Sequence, residues 1–119
     1  MADENVITTK SYSFALRVIK AYKYLTEEKR EFVLSKQMLR SGTSIGAMVR
    51  ESKFAQSRLD FINKMSIGLK EANETLYWID LLHDSDYIED EKLYKSIYDD
   101  CNELVSILAA TVKTAKANS

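Results

Sequence analysis

The residues able to do chemistry in this chain are few and poorly spaced for it. A nucleophilic triad needs a histidine held between its nucleophile and an orienting acid, and His83 is the only histidine. It falls at the predicted C-terminal end of a helix, where an imidazolium is favoured by the helix dipole. Cys101 is the only cysteine and lies on an apolar stripe. A thiol buried in apolar surroundings has a raised pKa and is inert. A di-iron carboxylate bundle needs Glu-x-x-His from each of two helices and a glutamate from each of two others. The nearest match, Asp80-Leu81-Leu82-His83, supplies a single histidine. Glu71 and Glu74 share one helix face, but no pocket signal accompanies them. No glycine-rich phosphate loop follows a strand pattern. The expectation is a protein without catalytic residues, metal ligands or a cofactor.

Charge points to binding instead. The formal net charge is only −1, but residues 1–70 carry 13 Lys and Arg against 7 Asp and Glu, and residues 71–119 carry 4 against 11. Such a split means either one basic face that meets a polyanion or two opposite faces that meet each other. Within the basic half, Arg50, Lys53 and Arg58 cluster near one end of a helical hairpin. They are the candidate nucleic-acid contacts, since a basic patch binds phosphates without reading bases. The alternative is a solvated face. A second constellation follows from folding the chain back near residues 54–57. Opposing layers of the hairpin would then have residue numbers summing to about 111. This places Arg40 across from Glu71, and Gln37 across from Glu74. The expectation is a partly buried polar network of Gln37, Arg40, Glu71 and Glu74, in which losing one buried partner costs about 3–5 kcal/mol. Two exposed charged faces are the alternative.

The elements that position these residues are helices. Proline is absent and glycine occurs 3 times, too few for the tight turns of an all-β chain. Residues 1–10 read as a short flexible arm, extended or disordered, followed by a bundle domain over residues 11–116. Phe14, Val18, Ala21, Tyr22 and Leu25 repeat at helical spacing. Leu16, Ile19 and Tyr24 add apolar surface outside that stripe, as on a helix that buries a second side at a subunit interface. Thr26 is placed to cap a second helix beginning near Glu28. That helix carries Met38, Ser41, Ile45, Met48 and Ser52, with Gly42 and Gly46 four apart on one face. Glycines tolerated in a helix interior mark a close approach of another backbone, within the monomer or between subunits. Ser57-Arg58-Leu59-Asp60 has the form of a capping box opening a third helix to His83. A fourth helix starts at Glu89 or Asp90 and follows Ile97, Cys101, Leu104, Leu108 and Thr111. Four helices with short connections predict an all-α, antiparallel up-down-up-down bundle.

A length of 119 residues suits one domain. The polar, acidic start is unlike a secretory signal, no apolar run is long enough for a membrane span, and a lone cysteine fits a reducing cytoplasm. The expected location is cytoplasmic, with no membrane association.

The stretch Leu34-Ser35-Lys36-Gln37-Met38-Leu39-Arg40-Ser41-Gly42-Thr43-Ser44-Ile45-Gly46-Ala47 resembles the second-helix signature of a bacterial family. Its members are known as four-helix bundle proteins, or 23S rRNA intervening-sequence proteins. Asp60-Phe61-Ile62-Asn63-Lys64-Met65 and Leu69-Lys70-Glu71-Ala72-Asn73-Glu74-Thr75-Leu76-Tyr77-Trp78 are similar to its third-helix signature. The resemblance spans about residues 12–113. It implies a homopentameric ring of bundles, encoded in some bacteria inside intervening sequences of 23S rRNA genes. It also implies kinship with the accessory protein of diversity-generating retroelements, a basic pentamer that works with a reverse transcriptase and binds nucleic acid. Two features depart from the pattern. Met48 stands where the family often has asparagine, and the sequence pI is about 5.9, far from strongly basic.

Two functional expectations follow. The first is a non-enzymatic homo-oligomeric scaffold or adaptor, with a protein partner and a pentameric ring. The second is a weak, sequence-tolerant RNA- or DNA-binding accessory protein associated with rRNA or a reverse transcriptase.

Overall fold

Four long helices account for nearly the whole chain in the computed structural model, which describes the backbone of residues 2–118 and the side chains of residues 6–118. They are α1 (Ala2–Glu27), α2 (Leu34–Ser52), α3 (Arg58–Asp84) and α4 (Glu91–Ala117). Each helix packs on its sequence neighbours and α4 returns to α1, while the backbones of the diagonal pairs α1/α3 and α2/α4 stay apart. This is an antiparallel up-down-up-down bundle of 46 × 21 × 20 Å. The length matches a 27-residue helix at about 1.5 Å per residue. No helix is long and apolar enough to cross a membrane among the described residues.

The apolar stripes meet along the axis. Phe14, Val18 and Leu25 from α1 face Met38, Ile45 and Val49 from α2, Met65, Ile79 and Leu82 from α3, and Ile97, Leu104 and Leu108 from α4, all buried. The seam of α4 runs through Val112 and Ala115 rather than Thr111, and that of α2 passes through Val49 rather than Met48. Both shifts follow from the period of 3.6 residues, which drifts relative to a strict heptad.

The first ten residues are not a separate extended or disordered arm. The structure corrects that boundary, because α1 is helical from Ala2, with Met1 outside the described residues. Ile7 lies one heptad before Phe14 and is buried in the core, so burial of its side chain extends the helix back through the polar stretch.

The connection between α1 and α2 also differs from expectation. Thr26 does not cap α2; its hydroxyl donates back to the Tyr22 carbonyl at 2.9 Å, at the end of α1. Arg30 takes a left-handed conformation with φ 57°, which turns the chain out of the helix, and α2 begins only at Leu34. The cap is Glu31. Its carboxylate accepts from the backbone N–H groups of Val33 (3.0 Å), Leu34 (2.9 Å) and Ser35 (2.7 Å). Ser35 returns a hydroxyl bond to the Glu31 carbonyl at 2.8 Å. One side chain thus satisfies three of the four donors that a helix start leaves open. Burial of Glu31 pushes its pKa up, but the three backbone donors outweigh this and hold it below the usual carboxylate range.

The other turns follow the sequence signals. Ser57 accepts from Asp60 N–H at 3.0 Å, and Asp60 reaches back to Gln56 N–H at 3.2 Å. Asp90 accepts from the N–H groups of Lys92 and Leu93 at the start of α4.

The glycines of α2 face α1 within the same chain. A Cβ at Gly42 would lie 2.9 and 3.0 Å from the two methyls of Val18. At Gly46 the nearest atom would be the Ser11 carbonyl oxygen at 3.5 Å. The first distance is below van der Waals contact and the second is ordinary, so only Gly42 is required by the packing.

Candidate functional site

Three constellations collect the polar side chains that the sequence singles out. The first is the polar network on α2 and α3. Arg40 donates to Glu71 at 3.1 Å, also to Glu74, and from Nε to Gln37 Oε1 at 3.3 Å. Glu74 accepts a further bond from the indole N–H of Trp78 at 2.9 Å. The structure therefore brings Gln37, Arg40, Glu71 and Glu74 together, with Arg40 at the centre and Trp78 as a fifth member. The side chain of Glu71 is 15% exposed but that of Arg40 is 49% exposed. The guanidinium thus sits at the surface, where ion pairs are worth well below the buried value. Beneath it, the Thr75 hydroxyl donates to Ser41 Oγ at 2.8 Å in the dry interior. This arrangement clamps two helices and offers no pocket for a substrate.

The second constellation lies at the end of the bundle where α3 turns into α4. His83 Nδ1 sits 2.9 Å from Asp84 and Nε2 sits 2.6 Å from Glu91. Carboxylates only accept, so both nitrogens donate when the ring is an imidazolium. The bonds to Glu91 and then Asp84 accordingly raise the His83 pKa. The ring stacks on Tyr94 with centroids 3.8 Å apart, and Tyr94 donates to Asp80 at 2.7 Å. That bond, with burial, pushes the Tyr94 pKa up to about 12. His83 thus ties α3 to α4 through its bond to Glu91. Cys101 is buried, its thiol donates to the Ala72 carbonyl at 3.3 Å, and burial pushes it up to about 12. Among the described residues no group of three or more His, Cys, Asp or Glu could hold a metal ion.

The third is the basic cluster at the opposite end, around the α2–α3 turn. Arg50 and Lys53 close α2 and line an outer groove against Thr8, Tyr12 and Gly46. Arg58 opens α3 and faces a different concavity, lined by Val6, Phe61 and Ile107. The three therefore flank one turn rather than share one pocket. All are exposed, and none has an ion-pair partner among the described residues.

They stand out because most of the charge asymmetry is neutralised inside the chain. Lys10 pairs with Glu103 at 3.0 Å, Arg17 with Asp100 at 2.5 Å, and Lys29 with Glu89. Cations of α1 and of the turn after it therefore lie against acids of α4 and of the turn before it. Arg40 with Glu71 and Glu74, and Lys64 with Glu51 at 3.3 Å, do the same for α2 and α3. Sequence reasoning left open whether the two halves meet each other or a polyanion. The structure pairs Lys10, Arg17, Lys29 and Arg40 of the basic half with acids of the other half, and the α2–α3 turn gathers three of the cations that have no such pair. Two residues there went unnoticed in the sequence. Phe54 and Leu59 are 79% and 77% exposed, and their signal was two large apolar side chains next to Lys53 and Arg58.

The family profile of the 23S rRNA-intervening sequence protein matches residues 3–110. Among solved structures, a protein with unknown function from the S23 ribosomal protein family of Bacteroides thetaiotaomicron VPI-5482 is 52% identical. The match covers 93% of this chain and 98% of that one, with a TM-score of 0.91. No curated protein matches. The profile match spans nearly the whole bundle, and on that basis the chain belongs to the 23S rRNA-intervening sequence protein family.

Proposed function

We propose that this chain is a non-enzymatic scaffold that assembles with copies of itself into a closed ring in the cytoplasm, with five subunits as the family resemblance implies. The observation that carries this reading is an apolar stripe on α1, with single exposed apolar residues on the opposite side of the bundle. On α1, Tyr12, Leu16 and Ile19 point away from the core and remain exposed. On α3, the diagonal neighbour of α1, Leu59, Ile67 and Tyr77 do the same. Contiguous exposed apolar surface marks an interaction site. Different apolar surfaces on opposite sides favour a head-to-tail contact, which generates a ring if the rotation closes. Opposite charge no longer motivates that contact, since Lys10, Arg17, Lys29 and Arg40 of the basic half pair with acids of the other half within the chain. Light scattering behind a sizing column tests the reading. Leu16→Glu with Ile19→Glu should convert the assembly to monomers while the circular dichroism stays helical. An unchanged mass in that variant would remove the α1 stripe from the interface.

A second reading is favoured by Arg50, Lys53 and Arg58, three exposed cations without an ion-pair partner among the described residues that gather at one turn. A sequence-tolerant nucleic-acid site at the α2–α3 turn would use them as phosphate contacts. The two readings are compatible, because a ring repeats the turn around its axis and weak contacts add by multivalency.

A further inference from the structure

The α2–α3 turn carries more than charge. Phe54 is a large aromatic residue held in a position where nothing covers it. Its backbone is fixed by successive short-range bonds, Lys53 N–H to the Arg50 carbonyl at 3.2 Å, Phe54 N–H to Glu51 at 3.0 Å and Ala55 N–H to Ser52 at 3.2 Å. The side chain therefore projects from a tight, ordered turn rather than a loose loop. Lys53 adjoins it, Arg50 lies one turn back on α2, and Arg58 begins α3 four residues on. Of the acids of the turn, one is neutralised by an ion pair and one keeps its charge while capping α3. Glu51 pairs with Lys64, and Asp60 accepts the Gln56 N–H. What remains is a bare aromatic face with a cation before it, a cation beside it and a cation after it.

We infer that this turn binds single-stranded nucleic acid, with one unpaired base stacked on Phe54 and the flanking phosphates held by Arg50, Lys53 and Arg58. The inference rests on the nucleic-acid reading above and narrows it. A duplex keeps its bases stacked on each other and offers the ring no free face, whereas a single strand does. Stacking and phosphate contacts carry little sequence information, so the site is expected to tolerate sequence.

The test is fluorescence anisotropy with a labelled oligodeoxythymidine and a labelled DNA hairpin duplex, titrated with the full chain at low and physiological salt. The single strand should bind more tightly, with log K falling against log salt at a slope of about −2, as expected for three phosphate contacts at about 0.7 each. Phe54→Ala should weaken single-strand binding at least about five-fold, the factor equivalent to about 1 kcal/mol of stacking, and Phe54→Tyr should restore it. Duplex binding should not change. Because Phe54 is exposed, neither variant disturbs the fold, and circular dichroism checks this. Wild-type binding by Phe54→Ala, alongside a loss in the Arg50→Ala, Lys53→Ala, Arg58→Ala triple variant, would overturn the stacking inference and leave the broader reading standing. No binding of either nucleic acid at low salt would overturn both. Co-sedimentation with phosphatidylserine vesicles without oligonucleotide binding would overturn both as well and assign the turn to an anionic membrane surface.

Discussion

Replacing Glu31 by alanine should be the most damaging change of a charged residue in this protein. The side chain is buried and is the only group that receives the N–H groups of Val33, Leu34 and Ser35. Val33 is well exposed, so its N–H turns to water at little expense. Leu34 is half-buried, and the Ser35 N–H is buried and left without a partner. Loss of a helix cap costs about 1 kcal/mol, and one buried unsatisfied donor adds about 1–3 kcal/mol. The expected destabilisation is thus about 2–4 kcal/mol, or roughly 10 °C in Tm for a chain of this size. Urea unfolding followed by circular dichroism at 222 nm (a wavelength of about that value reports helix) would measure it. Protein concentration must be held fixed, because the proposed assembly would couple stability to concentration. The pH dependence gives a second check. The native-state pKa of Glu31 is lowered, so its contribution is full above the unfolded value of about 4.3. It is lost as pH falls through the lower native value. The gap between wild type and Glu31→Ala should be widest near neutrality and close in acid. A Glu31→Ala variant within about 0.5 kcal/mol of wild type at pH 7 would refute the assignment of the cap.

Gly42→Ala should destabilise by about 1–3 kcal/mol despite alanine's better helix propensity, because its Cβ meets the buried Val18. Gly46→Ala, with ordinary contacts only, should be neutral or stabilising by up to about 1 kcal/mol; thermal melts of both variants decide this. Double-mutant cycles of Arg40→Ala with Glu71→Ala and with Glu74→Ala should each yield couplings of about 1 kcal/mol or less. A coupling of about 3 kcal/mol would mean the network is drier than its half-exposed arginine indicates. His83 has a raised native pKa, so its contribution is full below the unfolded value of about 6.5 and is lost as pH rises through the native value. His83→Gln should therefore be less stable than wild type near pH 5.5, about a unit below that value, and equal to it in alkaline buffer, as read by denaturant melts across pH.

The bundle and most of its seams were legible because four apolar stripes recur at helical spacing and two turns carry side-chain caps. The α1–α2 connection was not, for a physical reason. Its capping carboxylate lies three residues before the helix it caps, and Thr26 offers a more conventional cap in the wrong place. Residues 2–10 were obscured by their polarity, since Ile7 is the one residue of that stretch in the core among the described side chains. The hairpin register was nearly right. Arg40 does meet Glu71, but it also reaches Glu74, and Ser41 meets Thr75. Side chains on both helices lean toward their own N-termini. Partners across an antiparallel pair therefore carry higher numbers than backbone layers imply. The internal pairing of α1 with α4 was invisible to a residue count by halves, because only the topology brings Lys10 to Glu103 and Arg17 to Asp100. Phe54 and Leu59 were overlooked because apolar residues next to a turn usually fold inward.

The central claim is self-assembly, and sedimentation equilibrium of the wild-type chain at micromolar concentration tests it most directly. The account predicts a single species at a fixed multiple of 13.7 kDa, five-fold for the ring proposed above. A mass equal to that of one chain across the concentration range would contradict it, and would leave the stripe on α1 and the exposed apolar residues of α3 as surfaces for a different partner.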